Sequence, residues 1–544
     1  MRSTPTLSPM PTPAITRRGF LGRVSGAAVA ASLPCTLLAQ NSGSGGKRPN
    51  VLFFMADDMR VELGCYGSMF GALTPNLDAL AASGVRFDRN FCQYPLCNPS
   101  RTSLLTNRYP TTTMVWGNRT DFRPAHPDWI SLPQLFRNNG YTSMRSGKIF
   151  HDLYDDAIAW TIGGGVRLRD GGAGGKPMAI PRPSPDSVQP AASDRLRIVD
   201  AAHEQEPDFR SSDQATAYVL PAMEGDLTRA ASSDELIVLD GNGEGHADFH
   251  TADTAIQYLR DHKDEPFFIG CGFVKPHSPP CTTQKFLDMY DLSKIQLTPD
   301  FASWPTVPAG FPSAAIRRHN ADLFIGRGAS EDEAKKTIRH YIASTSFADW
   351  NLGRVIAELD RLGLRDNTII VFTVNHGYQL GEKGKWSKAG SLFEMGTRVP
   401  LMIAAPAMAG NGRACRRIVE SIDVYSTLAE LCGLPLPPGG EGTSLTPLLR
   451  DPEAEWSRPA YSIWSETGRT LHGVAVRTEK WRYVEFGPQG ANGAMLFDPV
   501  ADPLEMTNLA YDPAHASVCA ELSALTRGYA ARAGKMPPAR GREA

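Results

Sequence analysis

Long uninterrupted apolar runs recur along the chain and predict strands buried on both faces of a sheet. Such runs occupy residues 50–55, 266–273 and 368–374, and further strands are predicted over 141–146 and 399–404. Apolar residues at helical spacing alternate with these strands and predict helices over 73–81, 131–139, 249–262, 331–362 and 421–432. The pattern therefore predicts an α/β domain with helices packed on a central sheet.

Polar residues suited to metal or anion chemistry follow several predicted strands. Asp57 and Asp58 come directly after the first strand. Ligands of open α/β sheets bind outside the carboxyl ends of the strands, so these adjacent carboxylates are candidate metal ligands. The alternative is a solvated turn or helix cap. Lys148 and His151 follow another strand and suit anion binding and proton transfer, or are a solvated lysine and a structural histidine.

Two later strands are followed by histidines. His277 lies on a turn that flanking prolines stop and fix, and a structural role is its alternative interpretation. Asn375 and His376 follow the strand at 368–374. The loop at 381–388 carries three lysines, which bind an anion or are simply solvated.

The first 40 residues have the pattern of an export signal. Arg17 and Arg18 precede a small-residue apolar run over 27–38 that is too short to span a bilayer comfortably. We expect a twin-arginine-type export signal over 1–40, with a signal anchor as the alternative, and a linker over 41–48. The mature protein is then periplasmic or secreted, without a stable membrane span.

The chain has 544 residues, more than one ordinary core, which predicts a large catalytic domain and a smaller companion. We place the catalytic domain at 49–450, with a Gly/Pro-rich insertion at about 152–240. The insertion shapes a substrate rim or is a mobile loop. Residues 451–544 are expected to be a small C-terminal α+β subdomain with a disordered tail, because patterns at 471–477 and 480–485 predict paired antiparallel strands.

Charge and cysteine content narrow the function classes. The formal net charge of −2 gives no global electrostatic case for nucleic acid or an anionic membrane, so an anion must be bound locally. The nine cysteines lack the paired C-x-x-C spacing of a structural zinc site. Cys271 with Cys281, and Cys415 with Cys432, form local disulfides or remain buried free thiols.

Residues 97–101, Cys-Asn-Pro-Ser-Arg, set a thiol beside an arginine on the approach to a predicted helix. The stretch resembles the C-x-P-S-R signature of type I sulfatases, in which the cysteine is oxidised after translation to formylglycine. The resemblance covers nearly the whole exported chain through further blocks at 57–58, 74–78, 147–151, 275–277, 376–388, 496–499 and 508–509. The blocks at 147–151 and 275–277 are most similar to the iduronate-2-sulfatase branch.

This resemblance implies an alkaline-phosphatase-like fold with a large mixed central sheet. It also implies calcium-dependent hydrolysis of sulfate esters of sulfated sugars or polysaccharide fragments. One hydroxyl of hydrated formylglycine (3-oxoalanine) at Cys97 would attack sulfur, and the other would lose its proton and expel sulfate. The implied Ca²⁺ ligands are Asp57, Asp58, modified Cys97, Asn375 and His376.

The resemblance also assigns the remaining roles. Arg101 would stabilise the hydrated aldehyde, and His151 would accept its proton. Lys148 and Lys388 would bind the sulfate oxygens as charge develops, and His277 would be the substrate-contacting general acid on the leaving oxygen. The implied partners are a sulfated carbohydrate and a formylglycine-generating enzyme. The N-terminal signal adds the twin-arginine export machinery, and the charge balance predicts no role for nucleic acid.

Asn375 departs from the pattern of this branch, which normally has Asp before the histidine. An amide offers an oxygen without the charge, so we expect weaker calcium binding, a changed preference for substrate charge or, at the extreme, loss of turnover. Two other functions stay open at this point. One is a phosphomonoesterase or phosphonate hydrolase of the same superfamily, and the other is a non-catalytic sulfated-glycan-binding protein.

Overall fold

A computed structural model of the chain describes residues 47–151, 154–164 and 233–533. The predicted export signal, most of the predicted insertion and the predicted disordered tail lie outside the described residues. Within the three described ranges, no helix has the length and apolar character needed to cross a membrane.

The described strands and helices alternate along the chain as the apolar pattern predicts. The strands are β1 (Asn50–Asp57), β2 (Val85–Phe91), β3 (Thr142–Gly147), β4 (Ile237–Leu239), β5 (Phe267–Pro276), β6 (Cys281–Thr283), β7 (Thr368–Val374), β8 (Leu401–Ala404), β9 (Ala414–Glu420), β10 (Ala460–Trp464), β11 (Gly473–Arg477), β12 (Arg482–Phe486) and β13 (Ala494–Phe497). The helices are α1 (Pro75–Ser83), α2 (Cys97–Thr106), α3 (Pro110–Thr113), α4 (Leu132–Asn138), α5 (Ala247–Asp261), α6 (Gln284–Leu287), α7 (Glu331–Arg361), α8 (Glu394–Thr397), α9 (Asp423–Leu431), α10 (Thr446–Arg450) and α11 (Ala516–Ala530).

Seven strands form the central sheet in the order β3-β5-β1-β7-β8-β2-β9. Successive side chains of β1 enter two different cores, since Val51 and Phe53 pack with α4 and α9 while Leu52 and Phe54 pack with α5 and α7. The sheet is therefore the middle of three layers, and β1 is buried along its whole length, as its continuous apolar run predicts.

The direction of the strands makes the sheet mixed. Strands β3, β5, β1 and β7 are parallel neighbours, whereas β8 runs antiparallel to both β7 and β2. Every residue between β7 and β8 is described, and the helix in that connection, α8, has four residues. A parallel neighbour is usually reached through a full crossover helix, which this connection lacks, and the strand at 399–404 runs antiparallel to β7.

Two strands of the sheet escaped the sequence prediction. β2 and β9 carry charged residues such as Arg86, Asp88 and Arg416, and β9 lies at the sheet edge. The charged residues interrupt the apolar run in both strands, and the edge position of β9 tolerates them, so these strands lack the signal on which the other assignments rest.

A second sheet follows near the C-terminus. Strands β10 to β13 form an antiparallel sheet of four strands in sequence order, and the predicted pairing of the strands at 471–477 and 480–485 is confirmed by β11 and β12. One face packs against α11 through Leu522, and the other packs against Leu392 and Phe393. The domain limits at 450 and 451 stay predictions.

Candidate active site

The four parallel strands bring their polar ends to one edge of the sheet. In the pairing of β1 with β5, Asp57 lies opposite Pro276, and in the pairing of β1 with β7, Ala56 lies opposite Val374. Residues that directly follow these strands must therefore be neighbours. Most of the predicted site residues therefore lie together at this edge of the sheet: Asp57, Asp58, Lys148, His277, Asn375 and His376.

Cys97 reaches the same edge from a helix rather than a strand. It is the first residue of α2, and its Sγ lies 3.2 Å from His376 Nε2 and 3.4 Å from Asp57 Oδ1. One ligand-type atom from each of Asp57, Asp58, Cys97 and His376 lies within 4.8 Å of the others, and all four residues are buried. These four side chains converge on one point, as an ion site requires.

Asp57 is held by two cations. Its Oδ2 lies 2.8 Å from Lys148 Nζ and 3.4 Å from Arg101 Nη2. Burial by itself would raise the pKa of Asp57, but the charges of Lys148 and Arg101 outweigh burial and hold that pKa well below its usual value. Arg101 is anchored in turn, because its Nη1 donates to the backbone oxygens of Lys148 and Ile149 at 2.8 Å each.

Asp58 occupies a strained and strongly buried position. Its φ of 59° lies in the left-handed region that aspartate adopts more readily than most residues, and such strain clusters at functional sites. Burial raises the pKa of Asp58 to about 6 even though Lys388 Nζ lies 3.0 Å from its Oδ2. Its Oδ1 has no hydrogen-bond partner among the described residues, although His376 Nδ1 lies 3.4 Å away.

His376 presents a lone pair to the cluster. Its Nδ1 lies 3.0 Å from the carbonyl oxygen of Gly377, which can only accept, so Nδ1 carries the proton and Nε2 does not. Burial lowers the pKa of His376 to about 4, which keeps the ring neutral. A neutral imidazole held in this way is a suitable metal ligand.

Asn375 lies beside these groups, and its amide nitrogen, rather than its oxygen, faces the carboxylate of Asp57. Nδ2 donates to Asp57 Oδ1 at 2.6 Å. Oδ1 accepts from the backbone N–H groups of His376 at 2.9 Å and Asp58 at 3.4 Å. The neighbours fix this orientation, because a carboxylate requires a donor and a backbone N–H requires an acceptor.

The thiol of Cys97 is not activated as a nucleophile in this setting. Burial and the nearby Asp57 carboxylate raise the pKa of the thiol well above its ordinary value, in spite of the two lysines. A thiol rather than a thiolate is therefore expected at neutral pH, and thiols are weak nucleophiles.

Two glycines allow the backbone to place Lys148. Gly147 has φ of 73°, and a Cβ there would lie 2.1 Å from the oxygen of Gly272. A Cβ on Gly272 would lie 1.9 Å from the backbone oxygen of Lys148. Only glycine fits either position, and this close approach brings the end of β3 against β5.

A buried lysine fixes the turn that carries His277. Lys275 Nζ donates to the backbone oxygens of His277 and Pro279 at 2.8 Å each. The Nδ1 atom of His277 lies 2.8 Å from the oxygen of Ser278, so its Nε2 is an acceptor towards Lys388 Nζ at 3.2 Å. Burial, and next the charge of Lys388, lower the pKa of His277 to about 3. The ring is neutral here, and its role as general acid stays a prediction.

The three lysines of the loop at 381–388 are buried, so the interpretation of solvated lysines is wrong. Lys383 pairs with Asp300 at 2.9 Å, and Lys385 Nζ donates to the backbone oxygen of His319 at 2.8 Å. Of these three lysines, only Lys388 contacts the converging group, through Asp58. Its Nζ also lies 2.9 Å from Asp322 Oδ1. The sequence analysis missed Asp322, since it lies outside every predicted element and carries no pattern signal.

Two further predictions concern histidine and cysteine. The ring of His151 lies beside that of Tyr154, with centroids 6.4 Å apart, and its role as proton acceptor stays a prediction.

Cys271, Cys281, Cys415 and Cys432 are free and buried, so the alternative of buried thiols holds for both pairs.

The sulfatase family model matches residues 49–434, which include this whole cluster. The chain belongs to the sulfatase family. It is thus a member of a family of sulfuric ester hydrolases, as the stretch at 97–101 predicts. A second family model, for the C-terminal part of N-sulphoglucosamine sulphohydrolase, matches residues 381–529.

Characterised relatives agree with this assignment. A sulfatase of Formosa agariphila is 31% identical over 474 residues, covering 85% of this chain and 83% of that protein. The iduronate 2-sulfatase of Mus musculus is 28% identical over 547 residues, covering 86% of this chain and 91% of that protein. The predicted likeness to the iduronate-2-sulfatase branch is therefore confirmed.

Solved structures share the fold. A protein in complex with its substrate D-glucosamine-2-N,6-O-disulfate has a TM-score of 0.66 at 22% identity, covering 90% of this chain and 99% of that chain. A phosphonate monoester hydrolase of Agrobacterium radiobacter has a TM-score of 0.63 at 22% identity, with coverage of 90% and 96%. The predicted alkaline-phosphatase-like fold is confirmed, and at this identity the likeness concerns the fold alone.

Proposed function

We propose that this chain is an exported sulfatase which removes sulfate from sulfated sugars or polysaccharide fragments. The observation that carries the proposal is the convergence of Asp57, Asp58, Cys97 and His376 within 4.8 Å, with Lys148 and Lys388 beside them. A metal site next to two cations suits an anionic ester, and the characterised relatives include an iduronate 2-sulfatase.

The residues present fit a hard divalent cation such as Ca²⁺. Asp57 and Asp58 offer carboxylate oxygens, Asp58 Oδ1 has no hydrogen-bond partner in the described chain, and His376 Nε2 carries a lone pair. With Cys97 modified, these residues would hold the ion, which would polarise the sulfate ester and lower the pKa of a bound hydroxyl. Asn375, as oriented here, adds a donor to Asp57.

Formylglycine at Cys97 is the second part of the proposal. A hydrated aldehyde at this position supplies the nucleophile that the protonated thiol lacks. Arg101 and Lys148 both contact Asp57, and Lys388 contacts Asp58. His151 as proton acceptor and His277 as general acid complete the proposed catalytic residues.

Export by the twin-arginine pathway, a periplasmic or secreted location and a formylglycine-generating enzyme as partner belong to the same proposal. Arg17 and Arg18 before the apolar run at 27–38 support them.

The test begins with protein purified from a host that makes formylglycine. Mass spectrometry of the peptide containing Cys97 is expected to show the aldehyde in place of the thiol. Release of sulfate from an aryl sulfate and from sulfated disaccharides is then measured with and without a chelator, and the chelator is expected to abolish it.

Turnover of an aryl sulfate and the matching aryl phosphonate and phosphate monoesters separates the enzyme classes. Faster hydrolysis of a phosphorus ester would favour the phosphonate hydrolase alternative, which the shared fold supports. Retention of sulfated glycans without release of sulfate would favour the non-catalytic alternative.

A further inference from the structure

A buried ammonium group, Lys388 Nζ, lies between two carboxylates at the candidate active site. It is 3.0 Å from Asp58 Oδ2, 2.9 Å from Asp322 Oδ1 and 3.2 Å from His277 Nε2. An ammonium group has three N–H donors, and these three partners match them. A substrate oxygen that binds Lys388 must therefore replace one of these contacts.

Asp58 is the partner best suited to give up the ammonium. One of its carboxylate oxygens belongs to the group that converges with Asp57, Cys97 and His376, whereas Asp322 is not part of that group. A cation at Asp58 would compete with the Lys388 ammonium for the same carboxylate, because two positive charges close together repel each other. Lys388 then needs another anionic partner to stay in place.

Asp322 is fixed well enough to be that partner. Its Oδ2 accepts a hydrogen bond from Ser387 Oγ at 2.8 Å, and its side chain is 7% exposed. Two further bonds fasten its segment to the lysine loop, because Trp386 N donates to Asn320 Oδ1 at 2.9 Å and Leu323 N donates to Trp386 O at 3.2 Å. The segment that carries Asp322 and the loop that carries Lys388 are thus joined by several hydrogen bonds.

We propose that Asp322 is a positioning residue, which keeps the Lys388 ammonium directed at the substrate anion when Asp58 binds the cation. The proposal rests on the proposed function, in which Lys388 binds a sulfate oxygen. Asp322 acts through Lys388 and has no chemical step of its own.

The direction in which anion affinity changes when Asp322 loses its charge distinguishes a positioning role from a purely electrostatic one. Removal of a negative charge near an anion site should strengthen anion binding if charge alone matters. Loss of a positioning carboxylate should weaken anion binding instead, because Lys388 would move onto Asp58. It should also weaken binding of the cation that needs Asp58.

The experiment compares Asp322→Asn with Asp300→Asn as a matched control. Asp300 forms the same type of pair, at 2.9 Å, with Lys383 of the lysine loop, and the two side chains are 9% and 3% exposed. Calorimetry measures binding of inorganic sulfate to the calcium-loaded protein and of calcium to the chelator-treated protein. Activity assays with an aryl sulfate give kcat and KM, and thermal denaturation shows that each variant is folded.

We expect Asp322→Asn to bind sulfate roughly tenfold or more weakly than wild type and to lower kcat/KM by a similar factor. Calcium binding should weaken in the same variant, and Asp300→Asn should match wild type in all three. Asp322→Glu should recover part of the loss because it restores the charge. Ser387→Ala, which frees the carboxylate without removing it, should give a smaller effect of the same sign and serves if Asp322→Asn does not fold.

Equal or tighter sulfate binding in Asp322→Asn, with calcium affinity and kcat/KM like those of Asp300→Asn, would overturn the inference. This outcome leaves the proposed function intact if the wild type releases sulfate. A wild-type protein that binds sulfate but hydrolyses no sulfate ester contradicts the proposed function, and the two calorimetric comparisons still decide the role of Asp322. A wild-type protein that does not bind sulfate contradicts both.

Discussion

The edge of the central sheet and the contact between α8 and the C-terminal sheet both bury balanced sets of charges. At the edge, Asp57, Asp58 and Asp322 face Lys148, Lys388 and Arg101. We call this set the site cluster. Between α8 and the C-terminal sheet lies the interface cluster, which consists of Glu394, Glu505, Arg477 and Arg482.

The two clusters differ in how their groups are arranged. In the interface cluster the charges are tied to the backbone, since Arg482 Nε donates to the oxygen of Leu392 and Glu505 Oε2 accepts from the N–H of Glu394. The 3.0 Å contact of Arg482 Nε with Glu505 Oε1 is accordingly an ion pair rather than a hydrogen bond. In the site cluster, Asp57 and Asp58 instead converge with a thiol and an imidazole on one point. Convergence, rather than charge or burial, is what distinguishes a candidate active site from a structural network.

The largest expected effect is that of Cys97→Ala. Loss of the proposed nucleophile should lower kcat by about a thousandfold or more, while the thermal midpoint stays close to that of wild type. Cys271→Ala is the control. It removes a different buried thiol, which lies on β5, and should reduce stability but not kcat. Comparable loss of kcat in both variants would mean that Cys97 has no special role.

The reverse pattern is expected for the interface cluster. Arg482→Met leaves the carboxylates of Glu394 and Glu505 without one of their cations, which should lower the free energy of unfolding by about 3–5 kcal/mol. Denaturant titration measures this loss. The folded fraction should keep wild-type kcat, and a large fall in kcat at full folding would show that the two clusters are coupled.

The interface cluster should also make stability depend on pH. Burial raises the pKa of Glu505 from 4.5 to about 7. Because the folded state binds this proton more tightly, its stabilising contribution is present below about pH 4.5 and is lost as pH rises through about 7. In Glu505→Gln this part of the pH dependence should vanish, so the difference in unfolding free energy between variant and wild type should grow in favour of the variant from pH 5 to pH 8. A constant difference would contradict the assignment.

The smallest expected effect is a change in calcium affinity at the site cluster. Asn375→Asp adds a carboxylate where the amide now donates to Asp57, and it should raise calcium affinity roughly tenfold, or about 1.4 kcal/mol. Without calcium, the new carboxylate would lie against Asp57, so the thermal midpoint of the chelator-treated variant should fall below that of wild type. Calorimetry and thermal denaturation measure the two effects. Unchanged calcium affinity would show that position 375 does not influence the cation.

Local sequence patterns predict five of the seven strands of the central sheet, the main helices and the family. Continuous apolar runs such as 50–55 and 368–374 are typical of strands buried on both faces, and the stretch at 97–101 is specific enough to indicate the family. These features are local, because each depends on a few consecutive residues.

Only the tertiary structure decided how the groups meet. The direction of β8 and the pairing of the charged strands β2 and β9 depend on long-range hydrogen bonds that leave no local pattern. Asp322 reaches Lys388 from an irregular segment 66 residues earlier in the chain, and the orientation of the Asn375 amide follows from neighbours on β1. Contacts between distant segments set these features, and a reading of consecutive residues has no access to them.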